Sequence, residues 1–143
     1  MPDIEKLKEI IKKLQEIMRL QDWDIEIRLM NNREMDSICK MDYIPGGYCS
    51  RNRYYKSANI YLNCEDKNII NGDWYNALVH EMFHIIIDSL DEFMDNTLFP
   101  IIEENKKDLM QDKYDFEKEK VDCMFARLFV NAYPVTNFIK EDK

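Results

Sequence analysis

Residues 74–88 read WYNALVHEMFHIIID, and this stretch decides the fold. Its apolar residues leave little polar surface, so the pattern predicts a largely buried helix. Asp73 comes directly before it and is a fair N-cap. Of all the predicted elements, this helix carries the residues with the clearest chemistry.

The segments before this helix predict a first helix followed by a small sheet. Apolar residues recur at three- and four-residue steps over residues 4–19, which is typical of an amphipathic helix. Residues 23–29 alternate apolar and polar side chains, as a half-buried strand does, and residues 58–63 repeat that pattern. Pro45-Gly46-Gly47 favours a turn, so we expect a hairpin with arms at residues 38–43 and 48–54.

The segments after it predict further helices. Pro100 opens a plausible short helix that ends near Met110, and residues 117–132 predict a last buried helix, closed by Pro134. The expected fold class is α+β, with an N-terminal helix, a mixed or antiparallel sheet of three to four strands, the helix at 74–88 and a C-terminal helix. We expect one domain covering residues 1–143.

Composition excludes several classes of protein. A formal net charge of -8 opposes sequence-independent binding to nucleic acid, which needs a surplus of Lys and Arg. The one basic and aromatic run, residues 51–56, is typical of a solvated hairpin strand, and contact with an acidic partner is kept only as the alternative. We find no signal peptide and no stretch of the roughly 20 apolar residues that a membrane span needs. The four cysteines lack CxxC spacing, so we expect reduced thiols and a cytoplasmic protein without membrane contact.

His80-Glu81-Met82-Phe83-His84 matches the HExxH pattern, and these are the only two histidines of the chain. On a helix, a spacing of four residues places both imidazoles on one face, where they can share a tetrahedral zinc ion. Glu81 lies close enough to reach a metal-bound water without binding the metal. We therefore predict that His80 and His84 bind Zn²⁺ and that Glu81 is the catalytic base. The competing interpretation is that both are core histidines satisfied by hydrogen bonds.

A catalytic zinc ion usually has three protein ligands, and the last predicted helix offers carboxylates for the third. Helical periodicity places Asp122 and Glu119 on its inward face and Glu117 to one side. Buried carboxylates need a cation or donors beside them. Because Glu reaches further than Asp, we take Glu119 as the ligand and Asp122 as the residue that orients a zinc-bound histidine. The reverse assignment stays open, and a cysteine ligand is a weaker alternative.

These residues resemble the zincin metallopeptidases, specifically the minimal gluzincin-like enzymes of phage and mobile elements and the ImmA/IrrE-like group. The resemblance rests on residues 22–27, 58–62 and 77–84, and on residues 119–126, where the family places its acidic ligand before a Phe-Ala pair. It implies that residues 58–63 form an edge strand lining the cleft, so that Asn59, Ile60 and Tyr61 would bind an extended peptide. Ile87 stands where metzincins have Gly and no third His follows, which excludes that branch.

The expected function is zinc-dependent hydrolysis of peptide bonds in a peptide or protein substrate. Tyr114 or Tyr133 could donate to the oxyanion, and the sequence does not choose between them. The alternative is a zinc-stabilised protein-binding module of the same fold without hydrolysis. A third hypothesis, a protease acting on nucleic-acid-bound proteins as SprT-like enzymes do, conflicts with the acidic charge. Substrate identity and oligomeric state do not follow from the sequence.

Overall fold

The computed structural model describes residues 1–39 and 41–139. Lys40, which belongs to the first predicted hairpin arm, and residues 140–143, which belong to the predicted domain, lie outside the described residues. The chain is α+β, as expected. Its helices and strands, in chain order, are α1 (Ile4–Met18), β1 (Asp24–Met30), α2 (Asn32–Cys39), β2 (Gly47–Asn52), β3 (Ser57–Asn63), α3 (Trp74–Ile86), α4 (Asp88–Phe93) and α5 (Glu104–Ala132).

The first helix begins and ends as its sequence predicts. Asp3 caps α1, because its Oδ1 accepts a hydrogen bond from the backbone N–H of Lys6 at 2.9 Å. The chain leaves the helix through Arg19, whose φ of 57° is left-handed. The apolar stripe of α1 is buried in the core, and its buried members are Leu7, Ile10, Ile11 and Leu14.

The three strands form one mixed sheet in the order β1-β3-β2. β1 runs parallel to β3, and β2 runs antiparallel to it. Residues 58, 60 and 62 of β3 are buried, and their register partners on β1 and β2 share that inner face. Helix α3 packs against β2 and β3.

The expectation that residues 58–63 form an edge strand is wrong. β3 is the central strand, so its backbone groups pair on both sides and are not free for a peptide. Ile60 is fully buried in the core, while Asn59 and Tyr61 alternate with it and belong to the opposite face of the sheet. Asn59, Ile60 and Tyr61 are therefore not placed to bind substrate along a free edge.

The first predicted hairpin arm, residues 38–43, is wrong, because residues 38 and 39 end helix α2 and residues 41–43 form no strand. The second predicted arm, residues 48–54, largely coincides with β2. Asn31 and Glu34 cap α2 reciprocally: the N–H of Glu34 donates to Oδ1 of Asn31 at 3.0 Å, and the N–H of Asn31 donates to Oε2 of Glu34 at 2.8 Å. The hairpin of the structure joins β2 to β3, and its turn contains Lys56 with a φ of 45°.

The start of α3 lies one residue after an irregular turn, Ile69–Asp73. Gly72 makes this turn possible, since its φ of 126° is strained for any residue with a side chain. Asp73 precedes the helix as predicted, but its side chain accepts no capping hydrogen bond from the first turn of the helix. The helix itself is largely buried, as expected, through Trp74, Tyr75, Leu78, Val79, Glu81, Met82 and Ile85.

The two predicted C-terminal helices are one helix of 29 residues, α5. Pro100 lies before it, in the short turn Phe99–Ile101. The expectation of a largely buried helix is wrong, because only Asp122 and Ala126 of α5 are buried. Phe125 of α5 is 43% exposed, although its ring stacks on Phe83 at 5.8 Å between centroids.

Buried side chains of α1, β1, β3, α3, α5 and Phe138 pack into one hydrophobic core, and the partly buried Cys49 of β2 packs against it. None of the helices in residues 1–39 and 41–139 combines the length and the apolar character that a membrane crossing requires.

Candidate metal centre

Helix α3 presents both histidines on one face. Their ring centroids lie 4.7 Å apart with nearly perpendicular planes, and their side chains are 16% and 18% exposed for His80 and His84. The apolar residues of α3 are buried in the core, so this helix holds the two rings at the wall of a cleft instead of in open solvent. Within the cleft, the ring nitrogens are accessible to a third group.

Glu119 supplies that group from α5. Its Oε1 lies 3.1 Å from Nε2 of His80, and its Oε2 lies 3.8 Å from Nε2 of His84. Its side chain is 54% exposed, so Glu119 reaches the histidines from the solvent side. The inward position predicted for Glu119 is thus only half right, although its carboxylate does meet both rings.

Within residues 1–39 and 41–139, three overlapping groups of side chains could hold a metal ion: His80 with Glu81 and His84, His84 with Glu119 and Asp122, and His80 with Glu119 and Cys123. His80, His84 and Glu119 each occur in two of the three groups. The predicted trio of these residues is not itself one of the groups; Glu119 joins its two histidines pairwise, through different oxygens.

Asp122 lies behind His84. Its Oδ2 is 2.9 Å from Nδ1 of His84, and its side chain has no exposed surface. Neither Asp122 oxygen forms a hydrogen bond of full geometry with any described residue. A buried carboxylate at Nδ1 favours a proton on that nitrogen and leaves the Nε2 lone pair free to bind a cation.

His80 has a different outer neighbour, which sequence reasoning missed. Sγ of Cys123 lies 3.9 Å from Nδ1 of His80 and 3.9 Å from Oε1 of Glu119. Cys123 is four residues after Glu119 on α5, so helical spacing could have placed it beside the same site. Burial raises the pKa of this thiol, and the nearby Glu119 raises it further.

Glu81 is buried between α3 and the sheet, with 5% of its surface exposed. Its Oε2 lies 3.9 Å from Nε2 of His84. Burial raises the pKa of Glu81 to about 7, against a partial lowering by the two histidines. A carboxyl with such a pKa can both accept and release a proton near neutral pH.

His80 and Glu119 stabilise each other's charged forms. Burial alone would lower the pKa of His80, but the hydrogen bond with Glu119 and the nearby carboxylates raise it overall. The same hydrogen bond lowers the pKa of Glu119. The ionised Glu119 carboxylate would attract a metal ion, and that ion would have to displace the proton that the raised pKa favours on His80.

A cluster of ion pairs adjoins the histidines, and sequence reasoning did not find it. Arg51 of β2 donates to the backbone carbonyl of His84 and lies 3.4 Å from Asp88 and 3.1 Å from Asp91. Arg53 lies 3.1 Å from Asp88. The basic run predicted as a contact for an acidic partner therefore binds acidic residues of the chain itself.

The same cluster reaches α5. The hydroxyl of Tyr114 donates to Oδ1 of Asp91 at 2.8 Å, and Nζ of Lys118 lies 3.1 Å from that oxygen. Burial and Asp91 both raise the pKa of Tyr114. Tyr114 is thus engaged by Asp91, and neither Tyr114 nor Tyr133 lines the cleft at the histidines.

The cleft has a volume of about 580 Å³, and its walls combine β2, α3 and α5. His80, Glu81, His84 and Glu119 all line it. On the opposite wall, β2 contributes Gly47, Tyr48, Cys49 and Arg51. The structure therefore brings together the four residues predicted for the centre, with Asp122 behind them, and excludes the three predicted on β3.

Comparisons with protein-family models, with curated proteins and with solved structures find no match to this chain.

Proposed function

We propose that this protein is a zinc-dependent metallopeptidase of the zincin type. The observation that carries the proposal is the convergence of Glu119 on both HExxH histidines, at 3.1 Å and 3.8 Å from their Nε2 atoms, with Asp122 2.9 Å behind His84. The hydrogen bond with Glu119 would also satisfy a core histidine at His80, so what favours a cation site is that one carboxylate is shared between two rings while a second carboxylate lies behind His84. This arrangement supports a cation site with an orienting group behind one ligand.

The donor set favours zinc. Two imidazoles and one carboxylate form the protein ligand set of many catalytic zinc sites, and the fourth position stays open. Bonds of about 2.0–2.1 Å in a tetrahedron separate ligand atoms by about 3.3 Å. The 3.1 Å from Oε1 of Glu119 to Nε2 of His80 is near that value, whereas the 3.8 Å to Nε2 of His84 is measured from the other oxygen, Oε2, so the carboxylate would have to turn for one oxygen to join both histidines at the ion. The protein would hold the ion through His80, His84 and Glu119.

Zinc, when bound there, lowers the pKa of a bound water and polarises a carbonyl. The chain's own residues supply the remaining chemistry. Glu81 accepts the proton of the attacking water and passes it to the nitrogen of the leaving amine. Its buried position keeps the carboxylate facing the histidines, 3.9 Å from His84, and shields it from bulk water.

The free strand edge beside the centre belongs to β2. The N–H of Asn63 donates to the carbonyl of Gly46, so the bonded pairs of this antiparallel ladder fall on even β2 residues. The backbone groups of Gly47, Cys49 and Arg51 therefore point to the other side, where β2 has no partner strand among residues 1–39 and 41–139. An extended peptide would pair with β2 and cross the cleft next to the histidines.

The test combines metal content with cleavage. Purified full-length protein is loaded with zinc, its metal content is measured by mass spectrometry, and cleavage of a peptide library is followed for wild type and Glu81→Gln. We expect one zinc per chain in both proteins and a loss of cleavage of at least about 100-fold in the variant. Glu92→Gln, an exposed carboxylate of α4, is the matched control and should cleave as wild type does.

Three results would count against the proposal. Protein that takes up no zinc contradicts both the zinc metallopeptidase and the zinc-stabilised binding module. Equal cleavage by wild type and Glu81→Gln shows that Glu81 is not the base. Zinc bound by both proteins, with no cleavage by either, favours the zinc-stabilised binding module instead.

A further inference from the structure

Gly47 is the residue of β2 that faces Glu81. It begins the strand and pairs with Leu62 of β3 on the inner face of the sheet. A Cβ atom built on Gly47 would lie 2.7 Å from Oε1 of Glu81, 3.1 Å from its Cγ and 3.3 Å from its Cδ. Real Cβ atoms essentially never approach another atom as closely as 2.7 Å. Any side chain at position 47 would overlap the carboxyl end of Glu81.

The requirement at position 47 is for space, not for an unusual backbone. Gly72 is the chain's only glycine with a positive φ, and nothing lies within 4 Å of a Cβ built there. Gly47 has no positive φ, but a Cβ built there would overlap Glu81. A Cβ atom built on Gly46, one residue earlier, would lie 3.2 Å from the flexible side chain of Ile69, and its three nearest atoms belong to Ile69 and Asp66. Each glycine thus has its own reason, and only Gly47 is coupled to the carboxylate.

We propose that Gly47 is a positioning residue: the side chain missing from this point of β2 creates the recess in which the Glu81 carboxylate lies. That Gly47 makes room for Glu81 follows from the contacts alone, whereas a role of Gly47 in hydrolysis rests on the proposed function. The carboxylate is the flexible end of its side chain, so a methyl group at position 47 would displace it and leave the strand in place. The three atoms nearest to a Cβ at position 47 all belong to Glu81 and none to His80, His84 or Glu119, so we expect those three residues to keep their arrangement.

A thermal double-mutant cycle tests the steric part without any activity measurement. Gly47→Ala is compared in the wild-type and the Glu81→Ala backgrounds, both metal-free. We expect the substitution to lower the Tm by at least about 3 °C in wild type, as overpacking does, and by less than about 1 °C where Glu81 is truncated. Gly46→Ala is the matched control and should shift the Tm equally in both backgrounds.

Equal shifts for Gly47→Ala in the two backgrounds would overturn the proposal. Should Gly47→Ala fail to fold, recovery of folded protein on adding Glu81→Ala supports the recess, and failure in both backgrounds overturns it.

A second measurement tests the role in hydrolysis. We expect Gly47→Ala to bind zinc within about 3-fold of wild type while kcat falls at least about 10-fold, because the ligands stay in place and the base moves. In a Glu81→Asp background, whose carboxylate is one methylene shorter, Gly47→Ala should change kcat by less than about 3-fold. A loss of zinc affinity that matches the loss of kcat would overturn the positioning role. Thermal coupling without cleavage by wild type would contradict the proposed function and support the recess.

Discussion

Three carboxylates surround the two histidines, and each has a different environment. Glu81 is buried and has a raised pKa, Glu119 is half-exposed and has a lowered pKa, and Asp122 is fully buried behind His84. Environments that separate the pKa values of neighbouring acids are how one site assigns different tasks to the same chemical group. Here they suit Glu81 to proton transfer and Glu119 to cation binding.

Glu81→Gln should stabilise the metal-free protein, and more so at higher pH. The folded-state pKa of Glu81, about 7, is above its ordinary value of 4.5. Ionisation of the buried carboxylate is therefore unfavourable in the folded state. Wild type becomes less stable as the pH rises between these two values. Glutamine does not ionise, so we expect the stability of the variant relative to wild type to increase by on the order of 3 kcal/mol when the pH is raised from about 5 to about 8. Urea unfolding at both pH values measures it, and an equal difference at the two would contradict a raised pKa.

Asp122→Asn and Glu119→Gln decide which carboxylate is the third ligand. If Asp122 only orients His84, its amide variant should lose about 10- to 100-fold in zinc affinity, and Glu119→Gln should lose more. Competition with a chromophoric chelator measures both, with exposed Asp112→Asn as the control on the same helix. The opposite ranking would assign the ligand role to Asp122.

At the scale of elements, the ion pairs of Arg51, Asp88 and Asp91 connect β2 to α4, while Tyr114 and Lys118 connect α4 to α5. Arg51 also donates to the carbonyl of His84. The cluster thus ties the wall of the cleft to the helix that carries the histidines.

Asp91→Asn should destabilise the protein by about 3 kcal/mol at neutral pH, because it leaves partly buried cations without a full partner. Burial would raise the pKa of Asp91, but Tyr114, Lys118 and Arg51 lower it overall. Its stabilising effect is therefore present above the unfolded pKa of about 3.9 and disappears as the pH falls through the lowered folded value.

Urea unfolding of Asp91→Asn should approach that of wild type only in that acidic range. Asp95→Asn is the control: its side chain is 53% exposed and lies 3.6 Å from Arg53, so we expect a change within about 1 kcal/mol. Equal losses of unfolding free energy in the two variants would mean that the buried ion pairs of Asp91 stabilise the protein no more than an exposed pair does.

At the scale of the whole molecule, the centre joins α3 and α5, two elements far apart in sequence. An ion bound there binds the folded chain and not the unfolded one. At about 100 times the Kd, zinc should stabilise the fold by about 2.7 kcal/mol, which raises the Tm by about 5–10 °C.

Differential scanning fluorimetry with and without EDTA measures this shift. The His80→Ala/His84→Ala variant should show none of it. An equal rise in that variant, or one produced equally by Mg²⁺, would place the stabilising ion elsewhere.

The sequence by itself determined what is local. The periodicities of residues 4–19, 23–29 and 58–63 predicted α1, β1 and β3, and the spacing of His80, Glu81 and His84 placed three functional groups on one helix. The reason is that geometry within an element repeats at a constant period, so that positions along the chain become positions on a face. The start of α2 is also encoded locally, because Asn31 and Glu34 have the spacing of a capping pair.

Only the tertiary structure decided what depends on pairing between distant segments. It placed β3 at the centre of the sheet, so Asn59, Ile60 and Tyr61 have no free edge, and it made β2 the wall of the cleft. It also set Gly47 against Glu81 and Cys123 beside His80. Strand order and helix packing follow from which apolar faces fit together across the whole chain, and no local period encodes that choice.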